Sequence, residues 1–262
     1  MILVATEHLV QFSGGVGSWA AARRVRDRYM KEGDTLTLLF ADTKMEDEDL
    51  YRFIEEAAAD VEGNLIKISD GRDVWEVFFD TGYLGNSRID PCSKLLKRTL
   101  LRKWIQDNCK ASDTVIYLGI DWSEIHRLEK AEPFWGGWAL KAPLTEKPYL
   151  EKEDFIQQLM DRGIDPPRLY AMGFPHNNCG GFCVKAGQAQ FALLLEQFPE
   201  RYAYHENKEQ EIREYLGKDV SILVDRRGGT KKTLTLKSLR ERIESGEKIR
   251  GSFGGCGCAL DG

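Results

Sequence analysis

The sequence predicts an α/β protein built on a parallel sheet with helices on both faces. Three apolar segments, residues 8–12, 35–41 and 64–69, alternate with helix-like segments, and residues 114–120 form a fourth. These segments are almost continuously apolar, which is typical of strands buried on both faces of a parallel sheet. Regular alternation of strands with helices favours crossover connections and therefore a parallel strand order.

The connecting segments carry the periodicity of helices. Helices are predicted at residues 18–31, 45–59, near 73–80 and at 93–108. In the second of them, apolar residues recur every three or four positions: Leu50, Phe53, Ile54 and Ala57. Each helix therefore has one face that can cover the sheet.

The pattern changes after residue 120. Tryptophan, proline and glycine crowd residues 122–148, and helices are expected at about 151–162, 184–198 and 206–217. A short hairpin is predicted within residues 220–236, followed by a last helix and a glycine-rich tail. We therefore divide the chain at about residue 150, into a sheet-containing domain (1–150) and a mainly helical, cysteine-bearing C-terminal portion with a short hairpin (151–262).

The composition is that of an ordinary globular protein. The 262 residues are 42% hydrophobic and 30% charged, and the formal net charge of -5 gives no overall attraction to nucleic acid or anionic membranes. The N-terminal residues lack the basic region of a signal peptide, and no segment approaches the roughly 18 apolar residues of a membrane span. We expect a cytoplasmic protein that does not bind a membrane.

The most informative segment is Q-F-S-G-G-V-G-S at residues 11–18, between the first strand and the first helix. A glycine-rich loop at a helix start presents backbone N–H groups to a phosphate. The Walker pattern is excluded because no lysine lies between residues 13 and 22. The dinucleotide pattern has Ala20 at its third glycine position and stays an alternative. The pattern S-G-G-x-x-S matches without gaps.

This loop resembles the PP-loop of the adenine nucleotide alpha-hydrolase superfamily, which includes ATP pyrophosphatases and sulfonucleotide reductases (the phosphoadenosine phosphosulfate reductase family). F-A-D-T at 40–43, G-I-D-W-S-E-I-H-R at 119–127 and A-P-L-T at 142–145 resemble further elements of that superfamily. The resemblance covers roughly residues 8–185. It implies a HUP-like three-layer core and makes residues 1–150 a nucleotide-binding domain.

The resemblance also implies an ATP site with Mg²⁺. Its expected binding residues are Ser13, Gly14, Gly15, Val16, Gly17, Ser18, Phe40, Asp42, Thr43, Lys97, Gly119, Glu124 and Arg127. Ser13, Ser18 and Arg127 are expected to act in catalysis by stabilising the leaving pyrophosphate, and Asp42 to hold a ribose hydroxyl or a Mg²⁺ shell. Gly17 departs from the pattern, since ATP pyrophosphatases commonly carry Asp there. The loop nevertheless has all the glycines and serines of the S-G-G-x-x-S pattern, which favours ATP over an adenylyl sulfate as the bound nucleotide.

Six cysteines, at 92, 109, 179, 183, 256 and 258, point to metal binding or redox chemistry in a chain without a signal peptide. Their spacing resembles a thinned version of the [4Fe–4S] ligand pattern of adenylyl-sulfate reductases. The resemblance implies Cys92, Cys179 and Cys183 as ligands, with either Cys256 or Cys258 as the fourth ligand or an open iron. Zn²⁺ is the alternative metal. Cys109 is expected to pack in the interior.

The tail cysteines have a second interpretation. Sulfonucleotide reductases carry a catalytic cysteine near the C-terminus, and Cys256 and Cys258 resemble it. Our leading hypothesis is an ATP pyrophosphatase that adenylates a nucleobase or nucleic-acid acceptor for iron–sulfur-dependent sulfur transfer. The alternatives are a sulfonucleotide reductase and a non-catalytic nucleotide- and cluster-binding subunit. Expected partners are an adenine nucleotide, a sulfur-donor protein, and a nucleic acid bound by basic patches in the helix at 93–108 and at the hairpin tip.

Overall fold

A five-stranded parallel sheet forms the centre of the protein. The structure is a computed structural model that describes residues 5–249, 251, 253 and 254. The strand order is β3-β2-β1-β4-β5. The strands are β1 (Glu7–Gln11), β2 (Thr35–Asp42), β3 (Asn64–Ser69), β4 (Thr114–Tyr117) and β5 (Ala139–Lys141), and β6 (Leu223–Asp225) pairs antiparallel with β7 (Lys232–Leu234).

Helices connect the strands and make up most of the second half of the chain. They are α1 (Val16–Arg28), α2 (Glu48–Asp60), α3 (Val74–Thr81), α4 (Pro91–Ser93), α5 (Leu100–Asn108), α6 (Ile125–Phe134), α7 (Lys152–Asp161), α8 (Arg168–Ala171), α9 (Gln188–Gln197), α10 (Pro199–Leu216) and α11 (Leu236–Glu244). A π-helical segment (Lys94–Thr99) joins α4 to α5. Within the described residues, none of the helices has the length and apolarity that crossing a membrane requires.

The central strand β1 fixes where a ligand can bind. It pairs in parallel with β2 on one side and β4 on the other, so the strand order reverses there. Its residues Leu9 and Val10 are fully buried and belong to hydrophobic clusters on opposite faces of the sheet. In open α/β sheets, ligands bind outside the carboxyl ends of the strands at such a reversal.

Two helical layers cover the sheet, and this confirms the predicted three-layer α/β core. On one face, α1, α2 and α7 pack on the sheet with Trp19 and Phe53 fully buried. On the other face, α5 contributes Ile105 and α6 contributes Ala131, and Trp135 directly follows α6. Near-continuous apolar strands are required by this arrangement because both faces of each central strand are buried.

A third hydrophobic cluster is formed by α3, α9, α10, α11 and the β6–β7 hairpin. Trp75 of α3 packs there against Phe182, with ring centroids 5.4 Å apart. Conversely, Phe155 and Leu159 of α7 belong to the cluster on the sheet. Hydrophobic packing therefore crosses residue 150 in both directions, and the division of the chain at that position stays a prediction.

The structure corrects several element boundaries. The region 122–148 contains α6 and the edge strand β5, neither of which the sequence predicted. The strand β4 ends at Tyr117 rather than at residue 120, and α10 begins at Pro199 rather than near residue 206. Pro199 has no backbone N–H to lose and stands at the first position of the helix, where proline is well tolerated.

A buried histidine holds the third cluster together. His205 of α10 accepts a hydrogen bond at Nδ1 from Trp75 Nε1 (3.0 Å) and stacks on the Phe182 ring at a centroid distance of 3.7 Å. Burial, and secondarily the charge of Arg201, lowers the pKa of His205 to about 3. The imidazole is therefore neutral in the folded protein at all pH values above this.

This neutral histidine predicts acid sensitivity. A histidine in the unfolded chain takes up a proton near pH 6.5, whereas folded His205 does not, so its contribution to stability is lost as pH falls below 6.5. Relative to His205→Gln, which retains an acceptor for Trp75, the wild-type free energy of unfolding should fall by about 2 kcal/mol between pH 7.5 and 5. Urea unfolding of both proteins at several pH values measures this difference. Parallel pH profiles would contradict it.

Candidate nucleotide site and thiol pocket

A cavity of about 420 Å³ lies at the carboxyl ends of the central strands. Its walls come from the loop after β1, the ends of β2 and β4, and the segments around residues 152, 170 and 177. The lining residues used below are Gln11, Ser13, Gly15, Val16, Gly17, Ser18, Leu39, Phe40, Ala41, Lys97, Leu118, Gly119, Ile120, Asp121, Glu124, Arg127, Lys152, Tyr170, Asn177 and Gly254.

The loop after β1 forms the floor of this cavity. Gly14 has a positive φ of 76°, and Gly15 is the N-cap of α1 without any side-chain cap. The first N–H groups of a helix have no partner within the helix and carry partial positive charge, which suits an anion. Ser18 is turned inward, where its hydroxyl donates to the Gly15 carbonyl (2.8 Å), while Ser13 is exposed.

The end of β4 packs directly against this loop. A Cβ on Gly119 would lie 3.0 Å from Ser18 Cα and 3.1 Å from Ser18 N, so a larger residue would push the loop backbone away by a few tenths of an ångström. A Cβ on Gly17 would lie 3.4 Å from the Gly119 carbonyl oxygen, which is an ordinary contact. Glycine at 119 therefore allows the strand end to pack closely on the loop, whereas packing does not call for glycine at 17.

The opposite wall contains residues that the sequence did not single out. Lys152 Nζ donates to the Pro175 carbonyl (2.9 Å) and lies 4.9 Å from the centroid of the Tyr170 ring. Burial lowers the pKa of Lys152. The Tyr170 hydroxyl lies above the loop, 3.2 Å from where a Cβ on Gly15 would be. A cation and a hydroxyl therefore face the phosphate loop across the cavity.

Two buried amides also line the cavity. Asn177 is 4% exposed, and neither its Nδ2 nor its Oδ1 has a hydrogen-bond partner among the described residues. Gln11, which is 7% exposed, has no such partner for Nε2. An unpaired buried polar group costs about 1–3 kcal/mol, so a ligand that paired with these amides would gain from removing this cost. Nothing in the local sequence distinguishes them, since only the fold brings them to the cavity.

Most of the predicted nucleotide residues meet here. Phe40 is buried beside Leu39 and Ala41, and Arg127 donates from Nη1 to Glu124 Oε1 (2.5 Å). The predicted residues that line the cavity are Ser13, Gly15, Val16, Gly17, Ser18, Phe40, Lys97, Gly119, Glu124 and Arg127.

The structure places three predicted residues elsewhere. Asp42 Oδ1 accepts from the Lys44 N–H (2.8 Å) and the Tyr51 hydroxyl (2.9 Å), so its carboxylate closes the turn after β2. Thr43 is 2% exposed and lines a second pocket. Gly14 faces the Leu50 side chain, and it is not among the described residues that line the cavity.

The second pocket brings three predicted cysteines together. Cys92, Cys179 and Cys183 are all buried, at 9%, 7% and 3% exposure, and they line one small cavity with Lys97. We call this the thiol pocket. Cys92 comes from α4, whereas the other two come from the segment after α8, so tertiary folding alone accounts for their convergence. Lys97 lines both cavities and therefore marks where they adjoin.

The π-helical segment explains the position of Lys97. Hydrogen bonds in a π turn run between residues five apart and bring such residues to one face. Arg98 Nη1 accordingly donates to Ser93 Oγ (3.4 Å), and both are buried. Lys97 and Arg98 are only 8% and 9% exposed, so these two members of the predicted basic patch are turned away from solvent, whereas Lys94 and Lys103 are exposed. Nucleic-acid binding by this helix stays a prediction.

The hairpin tip predicted as the other basic patch is also neutralised in part. Arg227 pairs with Asp225 (2.6 Å) and with Glu247 (2.9 Å). Its charge is therefore shared with two carboxylates instead of being presented alone to a nucleic-acid backbone.

A buried glutamate holds the thiol pocket against the sheet. The Glu46 side chain is 1% exposed and accepts hydrogen bonds from the Cys179 backbone N–H (2.7 Å), Lys97 Nζ (3.3 Å) and the Thr43 hydroxyl (3.0 Å). Cys179 adopts a positive φ of 48°, which is uncommon for a residue with a side chain. Glu46 compensates for this conformation by binding its N–H.

The thiol pocket matches a metal cofactor in its donor atoms but not in its volume. Three thiols are ligands of the type that an iron–sulfur cluster uses. Among the described residues, however, no group of three or more Cys, His, Asp or Glu side chains is arranged to hold a metal ion. The cavity of about 20 Å³ has room for about one water. Cluster binding would therefore require the two cysteine-bearing segments to move apart.

Of the remaining three cysteines, the structure describes only Cys109. Cys109 ends α5, packs with the cluster on the second face of the sheet, and has its pKa raised to about 11 by burial and then by Glu7. A protonated thiol with these contacts has the packing role that we predicted. Cys256 and Cys258 lie outside the described residues.

Comparisons with known proteins were made on sequence and on structure. No protein-family model matches the chain, and a search of curated proteins found no match. Three similar solved structures are a phosphoadenylyl-sulfate (PAPS) reductase from Candida auris, the U34-tRNA thiolase NcsA from Methanococcus maripaludis with its [4Fe-4S] cluster, and an NH₃-dependent NAD synthetase from Campylobacter jejuni.

The three similarities are remote. In the same order, sequence identity is 16%, 13% and 15%, and the TM-score is 0.43, 0.47 and 0.42. The matches cover 63%, 81% and 82% of this chain and 78%, 74% and 88% of the other chains. All three are PP-loop ATP pyrophosphatase superfamily members, the superfamily that residues 13–18 resemble.

The loop geometry predicts a severe effect of Gly15→Asp on nucleotide binding. The new carboxylate would stand at the helix start, facing Tyr170, and would repel the phosphates from the place of the N–H groups. We expect calorimetric binding of ATP with Mg²⁺ to be lost. Gly136→Asp is the matched control, because Gly136 is exposed and a Cβ there makes only an ordinary contact of 3.5 Å. Equal ATP affinity in both variants would reject the loop as the phosphate site.

Proposed function

We propose that the chain is an ATP-dependent enzyme that adenylates an acceptor oxygen and exchanges this oxygen for sulfur. The observation that carries the proposal is the adjacency of the two cavities, since Lys97 lines both the phosphate-loop cavity and the thiol pocket. The loop is suited to the phosphates of ATP, which would activate the acceptor. The three buried thiols beside it would be the place where sulfur is transferred.

The first proposed step transfers AMP. The acceptor oxygen attacks the α-phosphorus of ATP, the bond between this phosphorus and the β-phosphate oxygen breaks, and pyrophosphate leaves with the bond electrons. The N–H groups at the start of α1, together with Arg127 and Lys152, would stabilise the charge that develops on pyrophosphate. Mg²⁺, when bound, neutralises part of the phosphate charge. The acceptor releases one proton to solvent.

The second proposed step installs sulfur. Hydrosulfide, supplied directly or by a sulfur-donor protein, attacks the carbon that carries the adenylated oxygen. The carbon–oxygen bond then breaks and AMP leaves with its electrons. Transfer of the sulfur-bound proton to the nitrogen bonded to this carbon gives the thiocarbonyl product, so no external oxidant or reductant is needed.

The proposed ligands of a [4Fe–4S] cluster are Cys92, Cys179 and Cys183, and the two segments that carry them would have to move apart to make room for it. Such a cluster with an open iron would supply a binding site for sulfide. Zn²⁺ on the same thiols is the alternative cofactor. We propose the cytoplasm as the setting, because thiols stay reduced there.

One observation favours sulfonucleotide reduction as a second candidate. The Gly187 N–H donates to the Phe253 carbonyl (2.7 Å), and Gly254 lines the nucleotide cavity. Cys256 follows Gly254 by two positions. In this reaction, a thiolate would attack the sulfate sulfur of an adenylyl sulfate, and the sulfur–oxygen bond to the nucleotide would break. A second thiol would then release sulfite and form a disulfide, so the two thiols supply both electrons.

The products distinguish the two candidates. Anaerobically prepared wild-type protein with ATP, Mg²⁺, hydrosulfide and single-stranded RNA or DNA of mixed sequence should release pyrophosphate. It should form no sulfite from adenylyl sulfate with a dithiol. We expect Arg127→Ala to lower pyrophosphate release by roughly tenfold or more, because it removes a charge from the leaving group.

A different product pattern would change the assignment. Sulfite formation that is lost in Cys256→Ser or Cys258→Ser would replace the first proposal by the second. Tight ATP binding without formation of pyrophosphate or sulfite would contradict both proposed reactions. It would favour the alternative of a non-catalytic subunit that binds a nucleotide. Lys103→Ala serves as the control for Arg127→Ala, because Lys103 is exposed and pairs only with Asp107 (2.6 Å) among the described residues.

A further inference from the structure

One carboxylate in the wall of the nucleotide cavity has no role in the reaction steps proposed above. Among the described residues that line this cavity, only Asp121 and Glu124 carry carboxylates. Glu124 is paired with Arg127. Asp42, which the sequence predicted for Mg²⁺, closes the turn after β2 and is not among the described lining residues. Of the described carboxylates, this leaves Asp121 to face the cavity without a paired cation.

The local structure fixes one oxygen of the Asp121 carboxylate and leaves the other one open to a ligand. Asp121 is the N-cap of a short 3₁₀ turn (Trp122–Glu124). Its Oδ1 accepts hydrogen bonds from the Ser123 N–H (2.8 Å) and from the Ser123 hydroxyl (2.6 Å). Within the described part of the chain, its Oδ2 has no hydrogen bond and no ion pair. Since Asp121 lines the cavity, a ligand bound there can reach this oxygen.

The chain places Asp121 beside the phosphate loop. Gly119 packs directly on the loop, since a Cβ there would lie 3.0 Å from Ser18 Cα. Asp121 follows Gly119 by two residues, which span at most about 7 Å. Leu118 and Ile120 also line the cavity, but their side chains have no polar atom. The Asp121 carboxylate is therefore the first polar side chain that the chain offers after β4 to a ligand on the loop.

A negative charge at this place disfavours ATP unless a cation lies between them. Phosphates on the loop and an ionised carboxylate in the same cavity repel each other, and the repulsion grows where water is excluded. Mg²⁺ prefers oxygen ligands and is usually held by one or two carboxylates together with substrate phosphates. We infer that Asp121 binds the Mg²⁺ ion that accompanies ATP. The inference rests on the proposed function, which places the ATP phosphates at the loop.

This role makes Asp121 a residue that selects the form of the nucleotide. Without the metal, its carboxylate repels the phosphates, whereas with the metal it attracts the complex. The cavity should therefore bind the magnesium complex of ATP in preference to metal-free ATP.

Residue 17 is a second position from which a carboxylate could reach the same ion. A Cβ on Gly17 would lie 3.4 Å from the Gly119 carbonyl oxygen, which is an ordinary contact, so an aspartate fits there. It would stand in the first turn of α1, where a negative side chain is favourable. Gly17→Asp should therefore replace the Asp121 carboxylate when that carboxylate is removed.

The test compares the calorimetric affinity for ATP in excess Mg²⁺ with that in EDTA, without acceptor or hydrosulfide. We call the ratio of the two affinities the magnesium effect, and in the wild type it should be roughly tenfold or more. In Asp121→Asn it should fall to about one, because affinity is lost with Mg²⁺ and gained in EDTA, where the repulsion is gone. A misfolded variant would instead lose affinity in both conditions.

Two further variants make the test specific. Asp121→Asn combined with Gly17→Asp should regain a magnesium effect within about threefold of the wild-type value. Asp165→Asn is the matched control, because it removes the same charge from an exposed residue that is not among the lining residues of either cavity. It should keep the wild-type magnesium effect.

Three results would overturn the inference. The first is an unchanged magnesium effect in Asp121→Asn, which would assign the ion to Glu124 if Glu124→Gln lost the effect. The second is a double variant that stays at the value of Asp121→Asn, since the loss would then not come from a missing metal ligand at this place. The third is a wild type that binds ATP equally with Mg²⁺ and with EDTA. These results leave the ATP site intact, whereas a wild type that binds ATP in neither condition would reject the proposed function as well.

Discussion

The site depends on two buried carboxylates in the loop between β2 and α2, each of which must be paired with groups from other segments. Glu46 binds the Cys179 N–H and Lys97, and Asp47, fully buried, binds Arg168 (2.7 Å) and Arg201 (3.1 Å). Burying a charge costs several kcal/mol unless it is paired and hydrogen-bonded, so these carboxylates are stable only with their partners in place. Cys179, Arg168 and Arg201 come from the second half of the chain, which is thereby fixed to the sheet edge, whereas Lys97 comes from the π-helical segment.

This constraint gives the two cavities a common wall. With Cys179 held by Glu46, the thiol pocket forms on one side of Lys97 and the phosphate-loop cavity on the other. The wall that carries Tyr170 and Asn177 is placed across from the loop by the same attachment. In the proposed two-step reaction, activation would take place at the loop and sulfur chemistry at the adjoining thiols.

The sequence predicts those parts that depend on local pattern. The sheet strands and the phosphate loop follow from apolar runs and from glycine and serine spacing, and the structure has them within a few residues. It does not predict β5 or α6, because a short edge strand and a half-exposed helix in a tryptophan-rich region lack strong periodicity. Helical periodicity assumes α geometry, so the sequence did not predict the π turn at Lys94–Thr99 in which Lys97 and Arg98 are buried. Lys152 and Asn177 reach the site only through tertiary folding, which no local pattern reports.

The central proposal is that Cys92, Cys179 and Cys183, which line the thiol pocket, bind an iron–sulfur cofactor once the two cysteine-bearing segments move apart. Iron content and visible absorbance of anaerobically prepared protein test it most directly. We predict bound iron in wild type and in Cys109→Ser, whose thiol packs away from the pocket, and loss of iron in Cys92→Ser, Cys179→Ser and Cys183→Ser. Iron that survives the changes at 179 and 183, or stoichiometric zinc in place of iron in the wild type, would contradict the claim.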